Sequence, residues 1–200
     1  MRKKAAPKTG EGLFGVKPDV RFRIVELDLC GAEHLRQAAE TIVAAFKEAV
    51  PRLTLESAVD EVQEMRTRLA LAAIDQRNRL VGVIGSIPAH GGGAWEIHPL
   101  AVHPNVWRGG IGRALVHALE ARAAIQGVTT MFVRAQDRHG KTSLSNVDLY
   151  AALPACLDRV SFTGPHPAAF FLRCGYRIVG AIPDASGPGH PDIFLAKRLN

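Results

Sequence analysis

Phe22, Ile24, Val25 and Leu27, interrupted by Arg23 and Glu26, read as a short strand over residues 22–27. The spacing then lengthens. Over residues 32–50, Leu35, Ala38, Ala39, Ile42, Val43 and Phe46 recur at three- and four-residue intervals, which predicts a helix with one buried face. Pro51 ends it. A second, acidic helix is predicted over about 57–68. Three strand-like runs follow at 69–74, 80–87 and 95–102, separated by the turns Asp75-Gln76-Arg77-Asn78 and Gly91-Gly92-Gly93.

A helix over 110–126 carries the apolar stripe Ile111, Ala114, Leu115, Ala118 and Leu119. A strand at 129–133 is followed by a polar loop and by a mixed segment around 144–160 with no clear period. His166-Pro167 opens a short helix that Gly175 closes, with proline in the first turn and glycine past the end. Strands at 176–182 and 192–199 complete the chain. No internal repeat is visible. The order is that of an α/β protein with a mixed sheet, not a doubly wound one.

The 200 residues fit one domain, and 47% hydrophobic against 22% charged residues excludes wholesale disorder. The net charge of +6 and a pI near 9.6 raise the question of a nucleic-acid partner. The charge is unevenly placed. Residues 1–23 hold seven basic and two acidic side chains, a net +5, which leaves +1 for residues 24–200. Residues 1–20 therefore read as a flexible basic extension, and 21–200 as a nearly neutral folded unit. Phe14 is the single aromatic in the basic tail, too few to stack successive bases, which argues against a nucleic-acid partner. No run of 18 apolar residues and no signal-peptide core is present, so a cytoplasmic protein with no membrane span is expected. Cys30, Cys156 and Cys174 are far apart, which suits a reducing compartment and argues against a zinc site or disulfide framework.

Two stretches could carry chemistry. Arg108-Gly109-Gly110-Ile111-Gly112-Arg113 lies between a strand and a helix. Glycines there allow close approach to a ligand, and the first helical turn offers N–H groups to an anion. The alternative is a tightly packed helix start. The spacing is not the dinucleotide fingerprint, whose third glycine would fall on Leu115. The second stretch is Trp95-Glu96-Ile97-His98-Pro99-Leu100-Ala101-Val102. Alternation puts Glu96, His98 and Leu100 nominally on one face, and Pro99 interrupts pairing. Backbone groups of Leu100 and Val102 could then serve a ligand. The alternative is an edge strand with a solvated Glu and His.

Gly140-Lys141-Thr142 mimics the end of a phosphate-binding loop, but Ala135 replaces its first glycine and acidic Asp137 sits in the turn. A polar, substrate-facing loop is the better reading, with Asp137 as an acid at a strand end. His103, His117, His139 and His190 show no metal spacing. Cys174 reads as a buried thiol rather than a nucleophile.

The strand, the glycine-rich turn and the helix after it resemble the acetyl-CoA site of the GNAT N-acetyltransferase superfamily. Trp95 to Val102, the run Thr142-Ser-Leu-Ser-Asn-Val-Asp-Leu-Tyr150, His166-Pro167, the run from Cys174 to Pro183, and Pro191 to Lys197 narrow the likeness. Together they resemble the aminoglycoside 6′-N-acetyltransferases over roughly residues 35–198. The resemblance implies the GNAT acyltransferase fold, a central mixed twisted sheet with helices on both faces. It also implies acetyl-CoA as cosubstrate, no metal, and a homodimer.

Residue by residue, it implies that the backbone of Arg108, Gly109, Gly110, Ile111, Gly112 and Arg113 holds pyrophosphate. Leu100, Ala101 and Val102 would pair with pantetheine, and the Leu100 N–H would polarise the thioester carbonyl. Glu96 would be the base, with His98 beside it. Phe46 and Asp137 would join them on the acceptor side. The activity expected is acetyl transfer to the 6′-amine of an aminoglycoside, or to another primary amine such as a polyamine or protein lysine. Trp107 stands where relatives often carry Gln or Arg. Phe171 stands where they often carry Tyr, and Phe has no proton to donate.

Overall fold

A computed structural model describes residues 21–199; the basic extension expected over 1–20 lies outside the described residues. Seven strands and five helices follow one another as β1 (Phe22–Glu26), α1 (Ala32–Phe46), α2 (Leu55–Met65), β2 (Ala70–Asp75), β3 (Leu80–Ala89), β4 (Ala94–Val102), α3 (Ile111–Ile125), β5 (Thr130–Gln136), α4 (Leu149–Leu157), α5 (Pro167–Arg173), β6 (Arg177–Ile182) and β7 (Asp192–Arg198). The strands form one sheet in the order β1-β2-β3-β4-β5-β7-β6. Every pairing is antiparallel except β4 with β5.

Local chemistry sets the helix ends. Thr54 caps α2 by accepting from the Ser57 N–H while the Ser57 hydroxyl answers the Thr54 N–H, so α2 starts earlier than its apolar pattern predicts. The helix α1 stops at Phe46 rather than Val50, its last residues forming a turn before Pro51. The segment without a period contains α4, which is apolar on every side and holds Pro154, so no face betrayed it.

The sheet separates two cores. On one face α1 and α2 bury Ala38, Ala39, Ile42, Ala58, Val62 and Met65 against Ala70, Ala72, Val83 and Ala101. On the other, α3, α4 and α5 bury Leu115, Leu119, Leu149 and Phe171 against Ile97, Met131, Val133, Ile193 and Leu195. Burial of this extent is the main stabilising term, at about 25 cal/mol per Å² of apolar surface.

The centre of the sheet is irregular. Strands β4 and β5 pair only at Ala94↔Thr130, Trp95↔Met131 and Glu96↔Phe132. Beyond Glu96 they part: β4 stays with β3, and β5 stays with β7 to Gln136↔Asp192. Strand β4 is thus an interior strand with one free margin, not an edge strand. Its register with β3 also slips, from Ser86↔Ile97 to Ile84↔Leu100. Three steps on β4 match two on β3, so His98-Pro99 forms a bulge where proline has no N–H to give. A Cβ on Gly85 would lie 2.8 Å from the His98 carbonyl oxygen, so the bulge requires glycine opposite it.

Candidate active site

The bulge changes which way β4 faces. Before it, Trp95 and Ile97 pack on the α3 side; after it, Leu100 and Val102 do, while Ala101 packs on the α1–α2 side. Alternation therefore switches phase, and Glu96 and Leu100, expected on one face, project from opposite faces.

The backbone after the bulge is oriented by β3. The His103 N–H donates to the Val81 carbonyl. Antiparallel pairs alternate, so the polar groups of Ala101 also point to β3, and those of Leu100 and Val102 point into the gap beside β5. Ala101 is thus a spacer and not a backbone partner for a ligand in that gap. The Trp107 indole N–H takes the Val102 carbonyl.

The gap ends at the start of α3. Arg108 at φ 65° and Gly110 at φ 79° turn the chain sharply into Ile111. Among the described residues, no acceptor takes the backbone N–H of Gly110, Ile111, Gly112 or Arg113. Four donors at the positive end of a 15-residue helix suit a phosphate group. A Cβ on Gly112 would meet the Phe170 ring at 3.4 Å and Val102 at 3.7 Å, so this turn lies against both α5 and the end of β4. The Arg113 guanidinium donates to the Arg173 carbonyl at 3.2 Å, fastening α3 to the C-terminus of α5. Arg108 is exposed.

The opposite face presents different chemistry. Met131, Val133 and Ala135 of β5 and Ile193 and Leu195 of β7 face α3, so Phe132, Arg134, Asp192 and Phe194 face the other way, with Glu96. The core under α1 and α2 takes no described residue from β5 or β7, which leaves this part of the sheet open. The Arg134 Nε lies 3.9 Å from a Glu96 carboxylate oxygen and 3.8 Å from an Asp192 oxygen. Asp192 is buried and accepts from the Ser186 hydroxyl at 2.6 Å. His90 tilts against Phe132, ring centroids 6.1 Å apart. Arg134, Asp192, Phe132 and Phe194 were not singled out from the sequence as site residues, although Asp192 and Phe194 lie in the closing Pro-Asp-Ile-Phe block.

His98 lies in the bulge, partly buried; the cation within ion-pair range of Glu96 is Arg134. Phe46, at the end of α1, packs against the α1–α2 core.

Asp137 departs from its expected place facing an amine. Its carboxylate is sealed inside its own loop. It accepts from the Lys141 and Thr142 N–H groups and the Thr142 and Ser145 hydroxyls at 2.5–2.9 Å. Burial pushes this carboxyl up, but the bonds from Ser145, Thr142 and Lys141 outweigh it and hold it below the ordinary carboxylate value. These bonds also exclude the phosphate-loop reading of Gly140-Lys141-Thr142, because the amides a phosphate would need are given to Asp137. His166 fixes the same loop. Its Nδ1 accepts from the Ala168 N–H, so the proton sits on Nε2, which donates to the Gln136 carbonyl at 3.2 Å. Burial pushes this imidazole below its ordinary value, against the pull of Asp137.

Phe171 is buried edge-on to Phe170 and Tyr176. Burial and the nearby Glu120 push the Tyr176 hydroxyl far above its ordinary value. Burial likewise raises the Cys174 thiol, which suits a structural cysteine.

Residues 35–152 match the Acetyltransferase (GNAT) family. No curated protein sequence matches the chain. Among solved structures, an aminoglycoside 6′-N-acetyltransferase complexed with coenzyme A is 34% identical, with a TM-score of 0.82 over 89% of this chain and 97% of its own. An aminoglycoside 6′-N-acetyltransferase from Enterococcus faecium is 35% identical at a TM-score of 0.79, with the same shares covered. An aminoglycoside 6′-acetyltransferase type Ii is 31% identical at 0.66, again over 89% and 97%.

Proposed function

The chain belongs to the GNAT acetyltransferase family, and we propose that it transfers acetyl from acetyl-CoA directly to the 6′-amine of an aminoglycoside. One observation carries the mechanistic reading. The gap between β4 and β5 opens on one face beside unpaired helix-start amides and on the other beside Glu96. A donor with a phosphate-bearing arm and an amine acceptor can therefore meet from opposite sides.

Acetyl-CoA supplies an activated thioester. The residues present fit it. The N–H groups of Gly110, Ile111, Gly112 and Arg113 hold its pyrophosphate, with Arg108 adding charge. The gap-facing groups of Leu100 and the Val102 N–H pair with the pantetheine as an added strand would, while the Val102 carbonyl accepts from the Trp107 indole. The Leu100 N–H would polarise the thioester carbonyl, and a donor of this kind is worth about 3 kcal/mol in acyl transfer.

Glu96 acts as the base. An alkylammonium with a proton affinity near that of lysine, pKa about 10.4, must be deprotonated before it can attack. A positioned carboxylate contributes ~10²–10⁴ in rate, here directly or through one water, with His98 at the margin. Asp192 adds a second negative charge on the acceptor side, and Phe132 and Phe194 offer apolar surface to a sugar ring. Asp137 shapes the loop, and Phe46, at the end of α1, packs against the core under α1 and α2. Phe171 leaves protonation of the departing thiolate to solvent.

A panel of acceptors with acetyl-CoA tests this reading. Aminoglycosides bearing a 6′-amine should be turned over in preference to polyamines and lysine peptides. Turnover confined to either of the latter would place the protein elsewhere in the family.

A further inference from the structure

We propose that Trp107 is a donor-binding residue: its indole lines the way from the gap between β4 and β5 to the first turn of α3, and offers a ring face to the pantetheine arm of acetyl-CoA. The inference rests on the proposed function, since it takes that gap as the donor site.

Local chemistry brings the ring there. Pro104 opens a tight turn over Pro104–Val106. The His103 Nδ1 accepts from the Asn105 N–H at 3.3 Å, and the Trp107 backbone N–H donates to the Pro104 carbonyl at 3.2 Å. The turn doubles the chain back on the end of β4. The Trp107 indole N–H thus returns to a residue five positions earlier, donating to the Val102 carbonyl at 2.5 Å. Strand β3 leaves that carbonyl unused, and it points in the plane of the sheet toward the gap. A donor approaches a carbonyl oxygen near its lone pairs, from in front. The indole therefore stands on the gap side of β4, at the end of the strand.

The helix-start amides lie at the same end of the gap. Only Arg108, Gly109 and Gly110 separate Trp107 from α3, and a Cβ on Gly112 would lie 3.7 Å from Val102. A ligand that pairs with Leu100 and reaches those amides must pass the indole.

The bonding of the ring decides what it can offer. Indole has one polar atom, a donor with no acceptor. Given to Val102, that donor is spent, so the side chain is not a phosphate ligand. Yet Trp107 is 48% exposed. A half-open aromatic face beside the gap suits the methylene and methyl groups of pantetheine. The same bond withdraws the Val102 carbonyl from the ligand, which leaves the Val102 N–H and the Leu100 groups as polar partners in the gap. Trp107 therefore exchanges a hydrogen bond to the arm for apolar contact with it.

The test is coenzyme A binding to the full chain, followed by calorimetry and by tryptophan emission. Trp107→Ala should weaken binding about fivefold or more, the effect of losing roughly 40 Å² of apolar contact. Trp107→Phe keeps a ring and frees the Val102 carbonyl, and should bind within about twofold of wild type. Coenzyme A should also change the emission of the wild type. Trp107→Phe should lose most of that change, because Trp95, the other tryptophan, packs against the core under α3. Equal weakening in both variants would make the indole N–H brace the source of the effect and overturn the proposal. Unchanged affinity in Trp107→Ala, or an emission change that survives in Trp107→Phe, overturns it as well. Wild-type protein that binds no coenzyme A would instead overturn the donor reading itself, so the two failures are distinct.

Discussion

Glu96 and Leu100 lie four residues apart on one strand and face opposite sides of the sheet. A bulge at His98-Pro99 makes the difference, and Gly85 on β3 makes room for it. The Leu100 N–H points in the plane of the sheet toward the gap, while the Glu96 carboxylate leaves the sheet on the face away from α3, an arrangement that would suit the proposed reaction between two separately bound partners.

Glu96→Gln keeps the size of the side chain and removes the proposed base. It should lower kcat/KM for an amine acceptor at least tenfold, against ~10²–10⁴ for a well-placed general base. Steady-state kinetics with a matched thermal unfolding curve checks this. Wild-type kinetics in a folded variant would remove Glu96 from the chemistry.

Gly110→Glu places a carboxylate where anion binding is proposed. No atom lies within 4 Å of the added Cβ, but φ of 79° costs a side chain about 1–2 kcal/mol. The protein should still fold, while calorimetry should find acetyl-CoA bound at least tenfold more weakly. Unchanged affinity would move the pyrophosphate elsewhere.

Asp137→Asn should destabilise the protein by about 2–4 kcal/mol, because an amide nitrogen would face donors that now meet a carboxylate oxygen. The pH dependence has a definite sign. A carboxyl whose value is lowered by folding stabilises above the ordinary carboxylate range, and that stability is lost as pH falls through it. Wild type should therefore lose more stability than Asp137→Asn between about pH 5 and 3. Parallel denaturation curves at both pH values would refute the assignment.

Lys197→Met should cost about 3 kcal/mol, because it leaves the buried Glu120 carboxylate with His117, 3.4 Å away, as its remaining ion-pair partner. Lys197 donates to Glu120 at 2.7 Å and to the Cys174 carbonyl at 3.1 Å, joining β7 to α3 and to the end of α5. Adding Glu120→Leu should recover much of the loss in urea denaturation. If the double variant is no more stable than the single one, the ion pair is not the source of the loss.

Much of this was legible locally. The glycine run announced a helix start, Pro99 announced a break in pairing, and the order of elements announced a mixed sheet. The remainder depended on contacts distant in sequence. Pro99 marks a disturbance, but whether the strand slips depends on what Gly85 permits across the ladder. Arg134 and Asp192 read as ordinary strand residues until β7 lies beside β5. An acid at a strand end, such as Asp137, looks the same whether it faces a substrate or ties its own loop. Only the four converging donors distinguish the two.

The most direct measurement uses two aminoglycosides that differ only in carrying an amine or a hydroxyl at the 6′-position. With acetyl-CoA and wild-type protein, the amine should be turned over to a singly acetylated product modified at the 6′-nitrogen by NMR, and the hydroxyl compound should be left unchanged. Equal turnover of both, or acetyl on another nitrogen, would contradict the proposed function.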